Sequence, residues 1–140
     1  MRRRHWLQFG AAWCSPFAWA QVYAQSGPGD QITLTEARRM HLAGAATLID
    51  IREADEHATG VAAGAKLLPM SQLGQRLSEI SASPDLPVLL ICRTQNRSSA
   101  TLAALRKQFG EQKFANVRFV QGGMSQWAQQ NWPMVLPAKP

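Results

Sequence analysis

Four consecutive apolar residues, Val88–Ile91, constrain the fold more than any other feature, because a cysteine follows them directly. A continuous apolar run of this length is typical of a parallel β-strand that is covered on both faces. Pro84 and Pro87 precede the run and break any helix that approaches it. The sequence therefore predicts a central strand with Cys92 at its carboxyl end.

Shorter strand-like runs and helical patterns alternate on both sides of this strand. Strands are predicted over 46–51, 65–68 and 117–120, and helices over 36–43, 53–57, 71–80, 98–109 and 124–130. Thr35 is the expected N-cap of the first helix. Strands that alternate with helices predict an α/β fold with a parallel central sheet flanked by helices on both faces.

The amino-terminal segment has the layout of a signal peptide. Three arginines, Arg2–Arg4, precede the apolar stretch Trp6–Ala20, and small residues lead up to Ala24. The apolar stretch is shorter than the ~20 residues that a membrane-spanning helix needs. We therefore expect residues 1–24 to be removed on export, leaving a periplasmic protein with no membrane attachment. The paired arginines are similar to those of a twin-arginine signal.

The mature chain that remains has a simple organisation. Ser, Gly and Pro residues favour a flexible tether over 25–31, followed by one domain over 32–136. Three of the 15 Lys and Arg residues and no acidic residue lie in the signal segment, so the net charge falls from +6 to +3. This small, scattered charge does not indicate nucleic-acid binding and fits small anions better.

Removal of Cys14 with the signal segment leaves Cys92 as the single thiol. One cysteine excludes an intramolecular disulfide and a zinc site built from several thiolates. His41 and His57 show no spacing typical of metal ligands. We expect neither a metal nor another cofactor.

The residues after Cys92 predict an anion-binding loop. Ligands of open parallel sheets bind beyond the carboxyl ends of the strands, near helix amino termini. A lone cysteine after a buried strand is often only a small core residue. The positive charges of Arg93 and Arg97 favour a reactive thiolate instead. The predicted site comprises the nucleophile Cys92 and the loop residues Arg93, Thr94, Gln95, Asn96, Arg97 and Ser98.

Three segments in order resemble motifs of the rhodanese family. Cys92–Ser98 is similar to its active loop Cys-Arg-x-Gly-x-Arg-Ser, and Leu48–Glu53 to its Asp-x-Arg-Glu signature. Gly122 and Gly123, followed by Trp127, are similar to its closing Gly-Gly-x-x-x-Trp element. The resemblance implies the rhodanese fold and a sulfurtransferase that carries sulfane sulfur as a cysteine persulfide. It implies a small anionic donor such as thiosulfate, and a thiol or a partner protein as acceptor.

The chain departs from the family loop at Gln95, where the family often has glycine. A left-handed backbone at Gln95 would cost about 1 kcal/mol, so the donor preference is open. We expect Asp50 and Arg52 to support the loop as an ion pair rather than to react. Two alternatives remain: a silent periplasmic binding module, and a cysteine phosphatase or arsenate reductase. The four residues between Cys92 and Arg97 argue against the phosphatase, whose larger loop encloses five.

Overall fold

A computed structural model describes residues 29–81 and 85–138. Five parallel strands form the main sheet in the order β1–β6–β5–β2–β4, and β3 and β7 form a small antiparallel sheet. The strands are β1 Gln31–Ile32, β2 Thr47–Asp50, β3 Val61–Ala62, β4 Lys66–Leu67, β5 Val88–Ile91, β6 Val117–Val120 and β7 Met134–Val135. The predicted signal peptide, 1–24, and tether residues 25–28 lie outside the described residues.

Helices cover both faces of the main sheet. They are α1 Leu34–Leu42, α2 Ala54–His57, α3 Ser78–Ser81, α4 Asn96–Phe109 and α5 Gly123–Gln129, with 3₁₀ turns at Met70–Gln72 and Gln112–Phe114. Along β5, Leu89 and Ile91 join the apolar cluster that contains residues of α1 and α5, while Leu90 and Cys92 join the cluster that contains residues of α4. The α/β fold with helices on both faces is confirmed.

The strand register brings two sequence motifs together. β5 pairs with β2 so that Asp50 lies opposite Ile91, and Ile51 N donates to the carbonyl oxygen of Ile91 at 2.9 Å. Since both strands run in the same direction, the residues that follow Asp50 and Ile91 emerge at the same edge of the sheet. This edge carries Arg52 and Cys92.

The predicted cap of the first helix is wrong by two residues. Thr33, rather than Thr35, has extended backbone and accepts a hydrogen bond from Glu36 N at 3.3 Å. The helix begins at Leu34, which is buried together with Ala37. Burial of these apolar residues sets where the helix starts, and the nearest threonine before it becomes the cap.

The predicted continuous helix over 71–80 is also wrong. A 3₁₀ turn at Met70–Gln72 and the short α3 are separated by turns that include Gly74. Glycine in a helix interior costs about 1 kcal/mol relative to alanine, which favours this break. Leu73, Leu77 and Ile80 nevertheless pack on the same apolar cluster, where Ile80 is fully buried.

The ends of the domain are tied into the sheet. Gln31, the last residue of the predicted tether, pairs with Phe119, and Asp30 O accepts from Phe119 N at 2.8 Å. The strands β1, β3 and β7 have only two residues each, so an apolar pattern in the sequence cannot predict them.

Among the described residues, no helix is both long enough and apolar enough to cross a membrane.

Candidate active site

Cys92 directly follows β5 and is almost completely covered. Its exposed fraction is 1%, and it belongs to the apolar cluster on the α4 face of the sheet. The Sγ atom lies 3.3 Å from Ser98 Oγ, one turn into α4. The predicted nucleophile therefore lies at the amino end of the following helix, where the helix dipole favours negative charge.

The loop after Cys92 is held from one side by α5. Met124 N donates to Cys92 O at 2.8 Å, and Ser125 N donates to Arg93 O at 2.9 Å. In a trans peptide the carbonyl and the following N–H point in opposite directions. The N–H groups of Arg93 and Thr94 therefore point away from α5.

Five backbone N–H groups of the loop are free to bind a ligand. Those of Arg93, Thr94, Gln95, Arg97 and Ser98 have no hydrogen-bond acceptor within the part of the chain that the structure describes. Unpaired N–H groups at a loop and helix amino terminus form an anion-binding site. The predicted loop thus has the donors for an anion beside the thiol.

The Ser98 hydroxyl can adapt to the charge of Cys92. Its Oγ lies 3.1 Å from Gln95 O, to which it donates, and 3.3 Å from Cys92 Sγ. A hydroxyl carries one proton and rotates to suit its acceptor. A neutral thiol can donate to Ser98 Oγ, whereas a thiolate can accept from the rotated hydroxyl.

Arg97 is paired with a residue that the sequence analysis did not select. Its Nη1 and Nη2 donate to the two carboxylate oxygens of Glu56 at 2.7 and 2.6 Å. These hydrogen bonds are the main cause that lowers the pKa of Glu56 to about 2, and they raise the pKa of Arg97. The charge of Arg97 is therefore balanced by α2, which it joins to the start of α4.

Arg93 has a different environment from Arg97. Its guanidinium is exposed and lacks a carboxylate partner among the residues that the structure describes. It borders a surface depression of about 500 Å³ together with Glu56 of α2 and Ser125 of α5. Arg93 is thus the loop cation that is available to an anionic ligand.

Asp50 and Arg52 form a buried ion pair, as the sequence analysis expected. Arg52 Nη2 lies 2.7 Å from Asp50 Oδ2 and also donates to Gly60 O at 2.8 Å. Neither side chain reaches Cys92 through a hydrogen bond. His57 Nε2 is buried 3.3 Å from Asp50 Oδ1 and has no hydrogen-bond partner in the described structure. The pair anchors the segment that follows β2.

The backbone of Gln95 is not left-handed. Its φ is −161°, so the cost of a left-handed conformation does not arise. Its side-chain Oε1 accepts from Gly122 N at 3.2 Å, across the loop from α4 to the turn before α5. Thr94 and Asn96 are exposed, and Thr94 Oγ1 lies 3.5 Å from Asn96 N.

Gly123 packs directly on the loop backbone. A Cβ atom at this position would lie 2.2 to 2.6 Å from the carbonyl oxygens of Thr94, Cys92 and Arg93, and its φ is +59°. Of the Gly-Gly pair, it is therefore Gly123 that approaches the loop. Trp127, which completes the Gly-Gly-x-x-x-Trp element, is buried and donates from Nε1 to Pro133 O at 3.3 Å.

Comparison with known proteins agrees with the motifs. The sequence model of the Rhodanese-like domain family matches residues 33–130. A protein of Allochromatium vinosum named Sulfurtransferase is 38% identical over 90 residues, which cover 64% of this chain and 78% of that protein. The uncharacterized protein YqhL of Bacillus subtilis is 40% identical over 82 residues, which cover 59% of this chain and 60% of YqhL. The chain thus spans less than two thirds of YqhL.

The fold is also similar to that of solved structures. The crystal structure of a rhodanese-related protein from Thermoplasma volcanium superposes with a TM-score of 0.63 at 28% identity. The match covers 76% of this chain and 98% of that one. The predicted family and fold are confirmed.

Proposed function

Because the chain belongs to the Rhodanese-like domain family, we propose that it is a sulfurtransferase that carries sulfane sulfur on Cys92. The observation that carries the proposal is the group of five unpaired N–H donors in the loop that begins at this thiol. Such donors stabilise a negatively charged persulfide and the anion from which the sulfur comes. The name of the Allochromatium vinosum relative, Sulfurtransferase, supports this chemistry.

Loading begins with attack of the Cys92 thiolate on the outer sulfur of thiosulfate. A new S–S bond forms to Cys92 while the S–S bond of thiosulfate breaks, and sulfite leaves with the bonding electron pair. The charge of −3 is the same before and after this step. The exposed Arg93 guanidinium attracts the donor, and the loop N–H groups hold its sulfonate oxygens and then the persulfide.

Discharge uses a second nucleophile. A thiol in its thiolate form, or cyanide in the laboratory, attacks the terminal sulfur and releases the Cys92 thiolate with the electron pair of the broken bond. Splitting one transfer into two displacements is covalent catalysis, which needs no metal or organic cofactor. A small thiol or a partner protein is the proposed natural acceptor.

Residues 1–24 support a proposed location for this reaction. Their charge and apolar pattern fit a cleaved signal peptide, so we place the mature enzyme in the periplasm. A single exported thiol can be oxidised or trapped as a mixed disulfide. Sulfur loading would therefore depend on a thiol reductant in the same compartment.

One observation favours a second candidate, a binding module without catalysis. Cys92 is only 1% exposed, so a donor has little access to its side chain in this conformation. A binding module would need no access to this thiol. The unpaired N–H donors and the free Arg93 favour the enzyme, because a silent partner surface has no use for them.

Formation of thiocyanate from thiosulfate and cyanide tests the proposal. We expect turnover by the mature protein and none by Cys92→Ser, which keeps the size of the side chain but is a far weaker nucleophile. Thr35→Ser, on the exposed surface of α1 and outside both the loop and the depression, is the control and should keep full activity. Failure with thiosulfate and with polysulfide would favour the binding module, and hydrolysis of a phosphate ester would favour the phosphatase.

A further inference from the structure

We propose that Gln95 is a positioning residue that ties the active loop to both neighbouring helices, an inference that rests on the proposed sulfurtransferase function. Its backbone carbonyl accepts from Ser99 N at 2.9 Å, in the first turn of α4. Its side-chain Oε1 accepts from Gly122 N at 3.2 Å, at the cap of α5. One residue therefore joins the loop to the start of each helix.

The Gln95 bond completes a set of restraints along the loop. Cys92 O and Arg93 O are already bonded to α5, and these bonds orient the first two peptides. Thr94 O accepts no hydrogen bond among the described residues, so the next peptide lacks such a restraint. The Gln95 side chain restrains the loop at this point, where the backbone does not.

The restrained peptides carry donors for the ligand. The N–H groups of Thr94 and Gln95 belong to the five that have no acceptor in the described structure. Donors help most when their direction is fixed before the anion arrives. Loss of the Gln95 bond should therefore weaken donor binding without removing any ligand-binding group.

The bond belongs to this chain rather than to the family motif it resembles. A glycine at this position has no side chain and cannot bond to Gly122. Gln95 has a φ of −161°, outside the left-handed region that would require glycine, so this position can carry a side chain. We expect the hydrogen bond between Gln95 and Gly122 to affect binding of the anionic donor and not the reactivity of the sulfur.

Two substitutions separate the bond from other effects. Gln95→Met keeps the length of the side chain but has no oxygen acceptor, whereas Gln95→Glu keeps an acceptor and adds a negative charge. Gln129→Met, on the exposed end of α5, is the matched control. Gln129→Met should leave the unfolding temperature within about 2 °C of the unchanged protein, and the two Gln95 variants within about 6 °C, because loss of one exposed hydrogen bond costs about 1 kcal/mol.

The kinetic test uses loading by thiosulfate and discharge by cyanide, measured separately on the full mature chain. Gln95→Met should raise the thiosulfate concentration for half-maximal loading about three- to tenfold, the effect of one hydrogen bond. Discharge of preloaded protein by cyanide should change less than about twofold, since cyanide attacks the terminal sulfur. Gln95→Glu should also weaken loading, and added salt should relieve its defect relative to Gln95→Met.

Hydrogen exchange of the Gly122 amide reports the bond itself. Exchange should accelerate in Gln95→Met and remain slow in Gln95→Glu and Gln129→Met. Unchanged half-maximal loading and unchanged Gly122 exchange in Gln95→Met would overturn the proposal. If the unchanged protein takes sulfur from no sulfane donor, the proposed function fails, and Gly122 exchange alone then decides whether Gln95 holds the loop.

Discussion

The active loop, Cys92–Ser98, and the connection Met70–Ser81 are both irregular or nearly so, yet they are held in different ways. The loop is tied to α2 and α5 through Glu56, Met124 and Ser125, which lie far from it in sequence. Along the connection, most backbone hydrogen bonds join residues three or four apart. Its distant polar contacts include those of Ser71 to Glu53, of Arg76 to Leu67 and of Glu79 to Lys66. Ile80 is buried in the core.

The difference shows which of the two regions requires a defined backbone geometry. The carbonyls of Cys92 and Arg93 are bonded to α5, which fixes the direction in which the following N–H groups face a ligand. The connection only has to bury apolar side chains, and several backbone paths can do that. Changes in the loop should therefore impair sulfur transfer, whereas changes in the connection should alter stability alone.

Gly123→Ala should give the largest effect on the loop. The new Cβ would meet three carbonyl oxygens at 2.2 to 2.6 Å in a residue with φ of +59°. We expect a loss of about 4 kcal/mol or more in the free energy of unfolding, and greatly reduced sulfur loading. Urea unfolding and thiocyanate formation measure the two effects.

Gly44→Ala is the matched control for this change. Gly44 has a similar φ of +67°, but nothing lies within 4 Å of its Cβ position. Gly44→Ala should lose only about 1 kcal/mol in the free energy of unfolding, which is the cost of a left-handed backbone at alanine. It should keep its activity. Equal losses in the two variants would show that contact with the loop is unimportant.

Ile80→Ala should give the largest effect on the connection. Ile80 is fully buried, and truncation of such a side chain costs about 3 kcal/mol. Sulfur loading per folded molecule should be unchanged, because no hydrogen bond links Ile80 to the loop, although both belong to the same apolar cluster. A rise in the half-saturating thiosulfate concentration in folded protein would contradict the separation of the two regions.

Glu56→Gln should have a moderate, pH-dependent effect. Arg97 lowers the pKa of Glu56 from 4.5 to about 2, so the ion pair stabilises the folded state above pH 4.5 and this gain is lost as the pH falls towards 2. We expect a loss of about 1 kcal/mol at neutral pH, since the pair is partly exposed. Urea unfolding of Glu56→Gln and of the unchanged protein from pH 7 to pH 2.5 measures this difference in the free energy of unfolding.

Asp55→Asn on the same helix is the control, because Asp55 is exposed and has no ion pair within the described residues. Its difference from the unchanged protein should be small and should not follow this pH profile. A Glu56→Gln difference that persists undiminished at pH 2.5 would argue against the ion pair as its cause.

Gly74→Ala should have the smallest effect on the free energy of unfolding, and it should raise that free energy rather than lower it. Gly74 lies in the turns of the connection, its φ is not in the left-handed region, and nothing lies within 4 Å of its Cβ position. Alanine restricts the unfolded chain, so the variant should be about 0.5 kcal/mol more stable. Thermal unfolding measures this gain, and a loss of stability would show that the turn requires glycine.

The parts of the fold that the sequence predicts well are those with a local signal. The bounds of β5 agree with the predicted run because consecutive apolar residues indicate a strand covered on both faces. The bounds of β6 agree as well, although Arg118 interrupts its apolar residues. The position of Cys92 at the carboxyl end of β5 is then predicted from the bounds of that strand alone. The helix predicted over 71–80 failed because its apolar spacing says what is buried but not whether the backbone between is continuous.

The restraints on the site could not be predicted from local patterns. Glu56 lies 41 residues before Arg97, and Gly122 lies 27 residues after Gln95. Neither pairing leaves a trace in the spacing of either segment, since both depend on how the elements pack around the sheet. The resemblance to the family motif identified the Gly-Gly pair. Only the packing shows that Gly123 lies against the loop carbonyls.

The intact mass of the reduced mature protein, before and after incubation with thiosulfate, tests most directly whether Cys92 carries sulfur. We expect a gain of one sulfur atom, which cyanide reverses and which Cys92→Ser does not show. A gain that persists in Cys92→Ser, or no gain with thiosulfate and other sulfane donors, would contradict the assignment of Cys92 as the sulfur carrier.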